Sequence, residues 1–294
     1  MTRLVRLATR RSSLALAQAN LVKVRLLANY PDLDVRFVEI ASLGDSLPEV
    51  SLEAEIGRGF FTSALEDALA RGEADLAVHS LKDLPVEPDP RFRIAAVLER
   101  EDPRDALVSD RELADLPAGA IIGTDSSRRR AQIAALRSDL RFESVRGNLG
   151  TRIAKLDSGL YGGLILAVAG LKRLGWEGRV AEVFNETQCL PAPGQGAIAV
   201  QVVANSVHEG LAQVLDHESS AAAVRAERAV LEGVGGGCQT PIGALARVEQ
   251  GSLSLVAVMA GSGLRRTTVS GPTLSARELG LQAARNLNRA SGPE

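Results

Sequence analysis

Cys238 stands in the run Gly235-Gly236-Gly237-Cys238-Gln239-Thr240-Pro241. Three glycines ahead of a thiol remove side-chain bulk and permit positive φ, so the sulfur can be displayed at a tight turn that a large group can approach. A covalent attachment point requires that access. A cysteine in a glycine loop is also what a small buried hydrophobe looks like, and the residue alone leaves both readings open. A second chemical stretch is His79-Ser80-Leu81-Lys82-Asp83-Leu84-Pro85, which follows a buried apolar run and ends at a proline. Its place is the carboxyl end of a strand, where active-site loops lie. There the Asp83 carboxylate could stabilise a positive intermediate or move protons, and Lys82 could bind a carboxylate. Simple solvated charge in a loop gives the same adjacent Lys-Asp pair.

Cationic side chains gather at three further places. Ala8-Thr9-Arg10-Arg11-Ser12-Ser13 and Gly123-Thr124-Asp125-Ser126-Ser127-Arg128-Arg129-Arg130 each precede a helical pattern, and Arg146 and Arg152 flank the turn-forming Gly147-Asn148-Leu149-Gly150-Thr151. Hydroxyls and guanidinium groups at a helix N-terminus join free backbone N–H groups and the positive dipole end, which already favour anions. Of the 34 cationic residues only Lys23, Lys82, Lys155 and Lys172 are lysine. Arginine captures planar carboxylates bidentately where lysine acts as a point charge. A genome that favours arginine codons explains much of that bias, so position carries more weight than number. Ala167 to Leu174, with Gly170 and Arg173, and Pro193 to Ala197, with Gln195, are glycine-containing element ends whose simplest role is a turn.

Composition narrows the partners. A net charge of −2 and 3% aromatic residues disfavour a nucleic-acid groove, which needs cationic surface and stacking rings. The glycine-lysine signature of a phosphate-binding P-loop is absent. His79, His208 and His217 fall at no metal-ligand spacing, so no metal is expected. Cys189 and Cys238 are too few for a disulfide framework and read as two free thiols. No apolar run approaches the ~20 residues of a membrane span, and the start of the chain carries no secretory pattern, so a cytoplasmic location is expected. Small, multiply charged organic anions fit best.

These side chains must be positioned by an α/β scaffold. Leu4–Ala8 alternates, Leu14, Ala17, Leu21, Val24 and Leu27 recur at helical spacing, and Val35–Ile40 is extended. Short buried strands are expected at 76–78, 94–98, 121–122, 164–167 and 197–203, mostly separated by helical patterns, which predicts parallel or mixed sheets with covering helices. The two similar strand-to-helix junctions suggest two lobes, each with an anion site beyond its strand ends. Residues 1–98 with 197–215 form the expected discontinuous first lobe, 102–190 the second, and 217–294 a small α+β third domain. Hinges are expected near 99–101 and 191–196, where charge, proline and glycine interrupt the pattern.

Taken in order, these segments resemble the porphobilinogen deaminase family. The matching residues are Ala8-Thr9-Arg10 with Ser12 and Leu14-Ala15-Leu16, Ala77 to Pro85, Glu101-Asp102-Pro103-Arg104-Asp105-Ala106, Arg146 to Arg152, Leu166 to Leu174, Pro193 to Ala197, and Gly236-Gly237-Cys238-Gln239. The resemblance implies two lobes like type II periplasmic binding proteins plus a small C-terminal domain. It implies a monomer that polymerises porphobilinogen on a dipyrromethane cofactor bound by a thioether to Cys238. Asp83, Lys82 and Arg10 take the catalytic positions. The cofactor set is Lys82, Asp83, Thr124, Ser126, Arg128, Arg129, Arg146 and Gly170; the substrate set is Arg10, Ser12, Arg146, Arg152, Arg173, Gln195 and Phe61.

Three positions depart from the family pattern. Asp125 puts a carboxylate beside sites meant for carboxylates, and either turns away or pairs with one of the three arginines that follow it. Arg58 replaces a usual lysine, and Leu43 stands where a polar or basic residue is commoner. Asp125 is the best support for a rival, a two-lobed anion binder without chemistry. A thiol-redox enzyme is a weaker rival, since Cys238 has no partner nearby in sequence.

Overall fold

The computed structural model describes residues 3–41, 62–87, 89–236 and 240–289. Cys238, Phe61, Arg58 and Leu43 lie outside them. In chain order the elements begin β1 (Arg3–Arg10), α1 (Ser13–Asn29), β2 (Leu33–Ile40), α2 (Ser63–Ala70), β3 (Leu76–Ser80) and β4 (Phe92–Val97). Next come β5 (Asp105–Val108), β6 (Ile121–Gly123), α3 (Ser127–Leu136), β7 (Arg141–Glu143), α4 (Leu149–Asp157), β8 (Gly163–Ala167), α5 (Val168–Arg173) and β9 (Val180–Val183). The chain finishes with β10 (Ile198–Val203), α6 (His208–Gln213), α7 (Glu218–Gly233), β11 (Ile242–Glu249), β12 (Ser252–Ala260), β13 (Leu264–Pro272) and α8 (Ala276–Arg289). Two compact units result: Met1–Arg100 with Ala197–Ala221, and Glu101–Gly196 with Ala222–Glu294.

The first unit holds a five-stranded sheet in the order β2-β1-β3-β10-β4. β1 runs parallel to β2 and β3, and β10 runs antiparallel to β3 and β4. The second unit repeats that plan as β7-β6-β8-β5-β9, with β6 parallel to β7 and β8 and β5 reversed. In each sheet the reversed strand is the one that follows a crossing from one unit to the other. These are the two mixed-sheet α/β lobes of the type II expectation. Val5, Leu7, Leu76, Val78, Val200 and Val202 are buried together on one face of the first sheet. Ala8, Ala77 and Phe92 pack with Leu65, Ala68 and Leu69 of α2. A strand covered on both sides has no polar face to show, which is why β3 and β10 are mostly apolar without alternation.

The second unit also holds the antiparallel sheet β11-β12-β13, whose core joins Ile242, Ala244, Leu253, Leu255 and Ala257 to Ala226 and Val230 of α7 and Leu279, Ala283 and Leu287 of α8. This is the small α+β portion expected after about residue 216. Strands β5, β7, β9, β11 and β13 carry no clear signal in the sequence. β5 is four fully buried residues opening on an aspartate, and β7 is three residues long with exposed ends.

Gly280 fixes how closely α8 approaches α7, because a Cβ there would strike the Ala226 carbonyl oxygen and come within 2.5 Å of the Ala229 Cβ. Backbone on one side and a packed methyl on the other leave nothing flexible to yield. Gly280→Ala is therefore expected to destabilise the protein by about 1–3 kcal/mol despite alanine's better helix propensity. A thermal melt checks this, and an unchanged or raised Tm would contradict the close packing.

Candidate active site

In the first unit, β1 and β3 end side by side. Their parallel register pairs Leu7 with Leu76 and Ala8 with Ala77, which brings Arg10 and His79 to the same level. The turn after β1 is built by its hydroxyls: Ser12 Oγ accepts the Ala15 N–H at 3.3 Å as the N-cap of α1, and Thr9 Oγ1 donates to the Ala15 carbonyl at 3.1 Å. Arg10 is half-buried there. From α1, Gln18 Nε2 donates to Ser80 Oγ at 2.8 Å and ties the helix to the end of β3. Leu81–Asp83 then forms one 3-10 turn, with Leu81 and Leu84 buried as anchors and the Leu81 N–H bonded to the Ala197 carbonyl at 3.1 Å. The turn leaves Lys82 half-buried and Asp83 exposed. The expected catalytic trio thus converges on adjacent strand ends of one sheet.

His79, on β3 just before this turn, is buried, and burial pushes its imidazole down to about 4. The neighbouring Arg10 charge acts in the same direction. The Gln201 side chain acts in the opposite direction, and burial outweighs it. His79 is therefore neutral at physiological pH. The carboxylate exposed to solvent at this strand end is that of Asp83.

In the second unit, a hydroxyl ladder follows β6. Thr124 Oγ1 accepts the Ser126 N–H at 3.2 Å, and Ser126 Oγ, the N-cap of α3, accepts the Arg129 N–H at 3.3 Å. The first turn of α3 then sends two guanidinium groups inward instead of outward. Arg128 Nη1 reaches Asp105 Oδ2 at 2.7 Å and the Leu190 carbonyl at 2.7 Å. Arg129 donates from Nε and Nη2 to Asp105 Oδ1, and from Nη1 to the Ile165 carbonyl at 2.8 Å. Gln195 turns its amide nitrogen to Asp105 Oδ1 at 2.8 Å and the Pro103 carbonyl at 2.7 Å. All four side chains are buried.

Burial by itself would raise the Asp105 carboxyl, but the charges of Arg128 and Arg129 and their hydrogen bonds outweigh it and hold it well below the usual carboxylate range. Two guanidinium groups against one carboxylate leave one positive charge in excess at the N-terminus of α3. Arg173 adds a second sign of the same kind: its Nη2 donates to the Gly196 carbonyl at 2.7 Å, while its buried Nε has no hydrogen-bond partner among the described residues. Burial works against the Arg173 charge, and the Glu101 carboxylate acts the other way.

Arg146 and Arg152 are half-buried around the Gly147 turn. Gly147 has φ of +106°, and a Cβ there would lie 2.7 Å from Thr151 Cγ2, so the turn requires glycine. Asn148 caps α4 by accepting the Thr151 N–H at 3.0 Å, and Arg152 Nε holds the Gly147 carbonyl at 2.8 Å. Asp125 does not pair with the arginines that follow it: it accepts the Ser144 hydroxyl and lies 3.8 Å from Arg152. Gly170 is buried within α5.

Cys189, the cysteine among the described residues, belongs to the Asp105 cluster. Burial first, and then the Asp105 charge, push its thiol up to about 12 against the opposing arginines. A thiol closed to solvent and held protonated is a poor nucleophile. No group of His, Cys, Asp or Glu among the described residues could hold a metal ion. Asp105 lies in the Glu101 to Ala106 motif, which by itself gives it no role; its signal in the sequence is an aspartate opening an otherwise apolar strand.

Asp105→Asn removes the carboxylate that two buried guanidinium groups share, and is expected to destabilise the protein by about 3–5 kcal/mol, read from denaturant unfolding. Because the folded carboxyl sits below its unfolded value, its contribution is present above about pH 4 and is lost as pH falls toward the lower folded value. The wild-type protein should therefore lose Tm on acidification below about pH 4 more steeply than the variant.

Comparison with known proteins bears on the whole chain. Among solved structures, the chain is similar to the methionine-binding protein MetQ, at 10% identity and TM-score 0.44, covering 72% of this chain and 89% of that one. The aliphatic sulphonate binding protein SsuA from Escherichia coli gives 14% identity and TM-score 0.39, covering 79% and 70%. The periplasmic domain of BvgS from B. pertussis gives 13% and 0.40, covering 71% of this chain and 39% of that one. Two family descriptions match: "Porphobilinogen deaminase, dipyromethane cofactor binding domain" over residues 5–209, and "Porphobilinogen deaminase, C-terminal domain" over residues 221–289. With a dipyrromethane-binding region and a C-terminal domain in that order over nearly its whole length, the chain belongs to the porphobilinogen deaminase family, the hydroxymethylbilane synthases, which are transferases of tetrapyrrole biosynthesis.

Proposed function

We propose that this chain carries out that reaction with Asp83 at its reacting centre and Cys238 as the attachment point of the cofactor. Four porphobilinogen molecules are joined head to tail, and water then releases the linear tetrapyrrole hydroxymethylbilane. In each addition the aminomethyl C–N bond breaks, ammonia leaves, a C–C bond forms to the exocyclic carbon, and the attacked pyrrole α-carbon loses its proton. The dipyrromethane, when bound, supplies the free pyrrole α-carbon that accepts the first unit. Asp83 accepts a hydrogen bond from a pyrrole N–H and stabilises the positive charge that develops as ammonia departs. Arg10 and Lys82 bind carboxylates of the rings beside it, with Ser12 as a hydroxyl donor.

The observation that carries this reading is the 3-10 turn Leu81–Asp83, which buries its leucines and offers Asp83 to solvent beside a histidine kept neutral. Arg146 and Arg152 are assigned to acetate and propionate groups, with Thr124, Ser126 and Arg173 in support. Arg128, Arg129 and Gln195 act from within, fixing the excess positive charge. Phe61 is assigned to substrate and Gly170 to cofactor clearance by the family pattern alone. Cys238 is assigned the thioether because Cys189 is buried and protonated. Asp125 is engaged with Ser144 and Arg152, so it no longer favours a binder that has lost its chemistry.

No helix among the described residues is long and apolar enough to cross a membrane. We assign a cytoplasmic monomer with three domains, the second unit containing two of them.

Asp83→Asn is expected to fold normally and lose roughly 10²–10³-fold in turnover, a loss typical of removing one preorganised electrostatic group. Ammonia release from porphobilinogen measures it; near-normal release would remove Asp83 from the mechanism. Cys238→Ser, expressed in cells that make porphobilinogen, should have the intact mass of its bare sequence, whereas the wild-type protein carries two further pyrrole units. An identical increment on both would move the attachment elsewhere.

A further inference from the structure

Glu227, on α7, is a fully buried carboxylate that none of the proposed chemistry uses. Its Oε1 accepts the Ala246 N–H of β11 at 2.8 Å, and its Oε2 accepts the Gly194 N–H at 2.7 Å. α7 ends five residues before Cys238, and β11 begins four residues after it. One carboxylate therefore bonds both elements that flank the cysteine loop to a third segment, the one that contains Gln195.

That segment, 189–196, is held from two directions within the second unit. From the C-terminal sheet, the Ala244 N–H donates to the Pro191 carbonyl at 2.9 Å, and Leu190 packs with Leu245 and Val258. From the mixed sheet, Arg128 and Gln132 donate to the Leu190 carbonyl, Gln132 Oε1 accepts the Leu190 N–H at 2.8 Å, and Gln195 bonds Asp105. Glu227 is thus linked to Asp105 and the two arginines by charge-assisted bonds at Gly194 and at Gln195, with the peptide bond between those two residues joining them. Short contacts to a desolvated carboxylate are stronger and more directional than neutral hydrogen bonds.

We infer that Glu227 is a positioning residue: it sets the register between the elements bearing the cysteine loop and the buried arginine pair, and so fixes where the covalent end of the primer stands relative to its carboxylates. This rests on the assignment of Cys238 as the tether. Glu227→Gln keeps the shape but presents an N–H₂ to one of two backbone N–H donors, breaking one bond without opening a cavity.

The test uses full-length holoenzyme of the wild type, E227Q, Q195A and the double variant, assayed well below their melting transitions. Primer loading is read by intact mass, and kcat and KM are read with porphobilinogen. The expectation is that each single variant loads primer but loses about tenfold in kcat, with a smaller change in KM. The double variant should be no slower than the worse single one, because both act on one path. Should E227Q fail to fold, E227D keeps the charge while withdrawing it, and is read by the same criteria. A primed E227Q with wild-type kcat, or losses that multiply in the double variant, would overturn the positioning role alone. A wild-type protein without the added mass would overturn the tether assignment as well.

Discussion

A single carboxylate removed from water organises the second unit. Asp105 opens β5, the reversed strand of its sheet, and could not be there as an anion without neighbours to repay the loss of hydration. Arg128 and Arg129 come from the first turn of α3, and Gln195 comes from the segment that leads back to the first unit. Three stretches far apart in sequence are thus obliged to meet at one point. Because breaking such a cluster costs more than a surface ion pair could contribute, the geometry around it is stiff. Two guanidinium groups against one carboxylate leave the cluster with an excess of positive charge.

The two sheets show how a common plan is put to different uses. Both place a parallel pair next to a reversed strand, and both send the chain from a strand end into a hydroxyl-capped helix. In the first unit the strand ends carry Arg10 and the exposed Asp83; in the second the equivalent junction turns its arginines inward. Hydroxyl caps do the same local work in each, satisfying helix N–H groups through Ser12 and Ser126. What differs is whether a buried carboxylate lies within reach of the following residues. Asp105 supplies one in the second unit.

Small residues set the close approaches that this arrangement needs. At Gly196, with φ of +87°, a side chain would strike the Glu101 carbonyl oxygen, while the Glu101 N–H bonds the Gly196 carbonyl at 3.3 Å. Lys172 and Arg173 at the end of α5 reach Glu101 and Gly196 respectively, so the same helix end secures both segments. The pairing of Lys172 with Glu101 keeps the Glu101 carboxyl below its ordinary value, after the larger effect of the Asp102 backbone N–H. Segments that read as bare turns in the sequence are thereby held from several sides.

The sequence by itself determined the elements whose pattern is local. β1, α1, β2, β3, β8 and β10 follow from periodicity, and the cap hydroxyls follow from their place before a helical run. The ordered motifs determined the family, and the residue types pointed to an anionic, carboxylate-rich ligand. Only the tertiary structure decided which arginines stay at the surface and which are buried against a carboxylate. Arg128, Arg129 and Arg130 look alike in a row, yet the first two are buried and the third is exposed. That difference comes from Asp105, more than twenty residues earlier, and no periodicity reports the position of a counter-charge. Glu227 was likewise illegible, because a glutamate in an alanine-rich helix resembles a solvated one until the backbone donors of Gly194 and Ala246 are brought to it. Burial and long-range hydrogen bonding are pairwise properties of the folded chain, and the order of residues along it does not encode them locally.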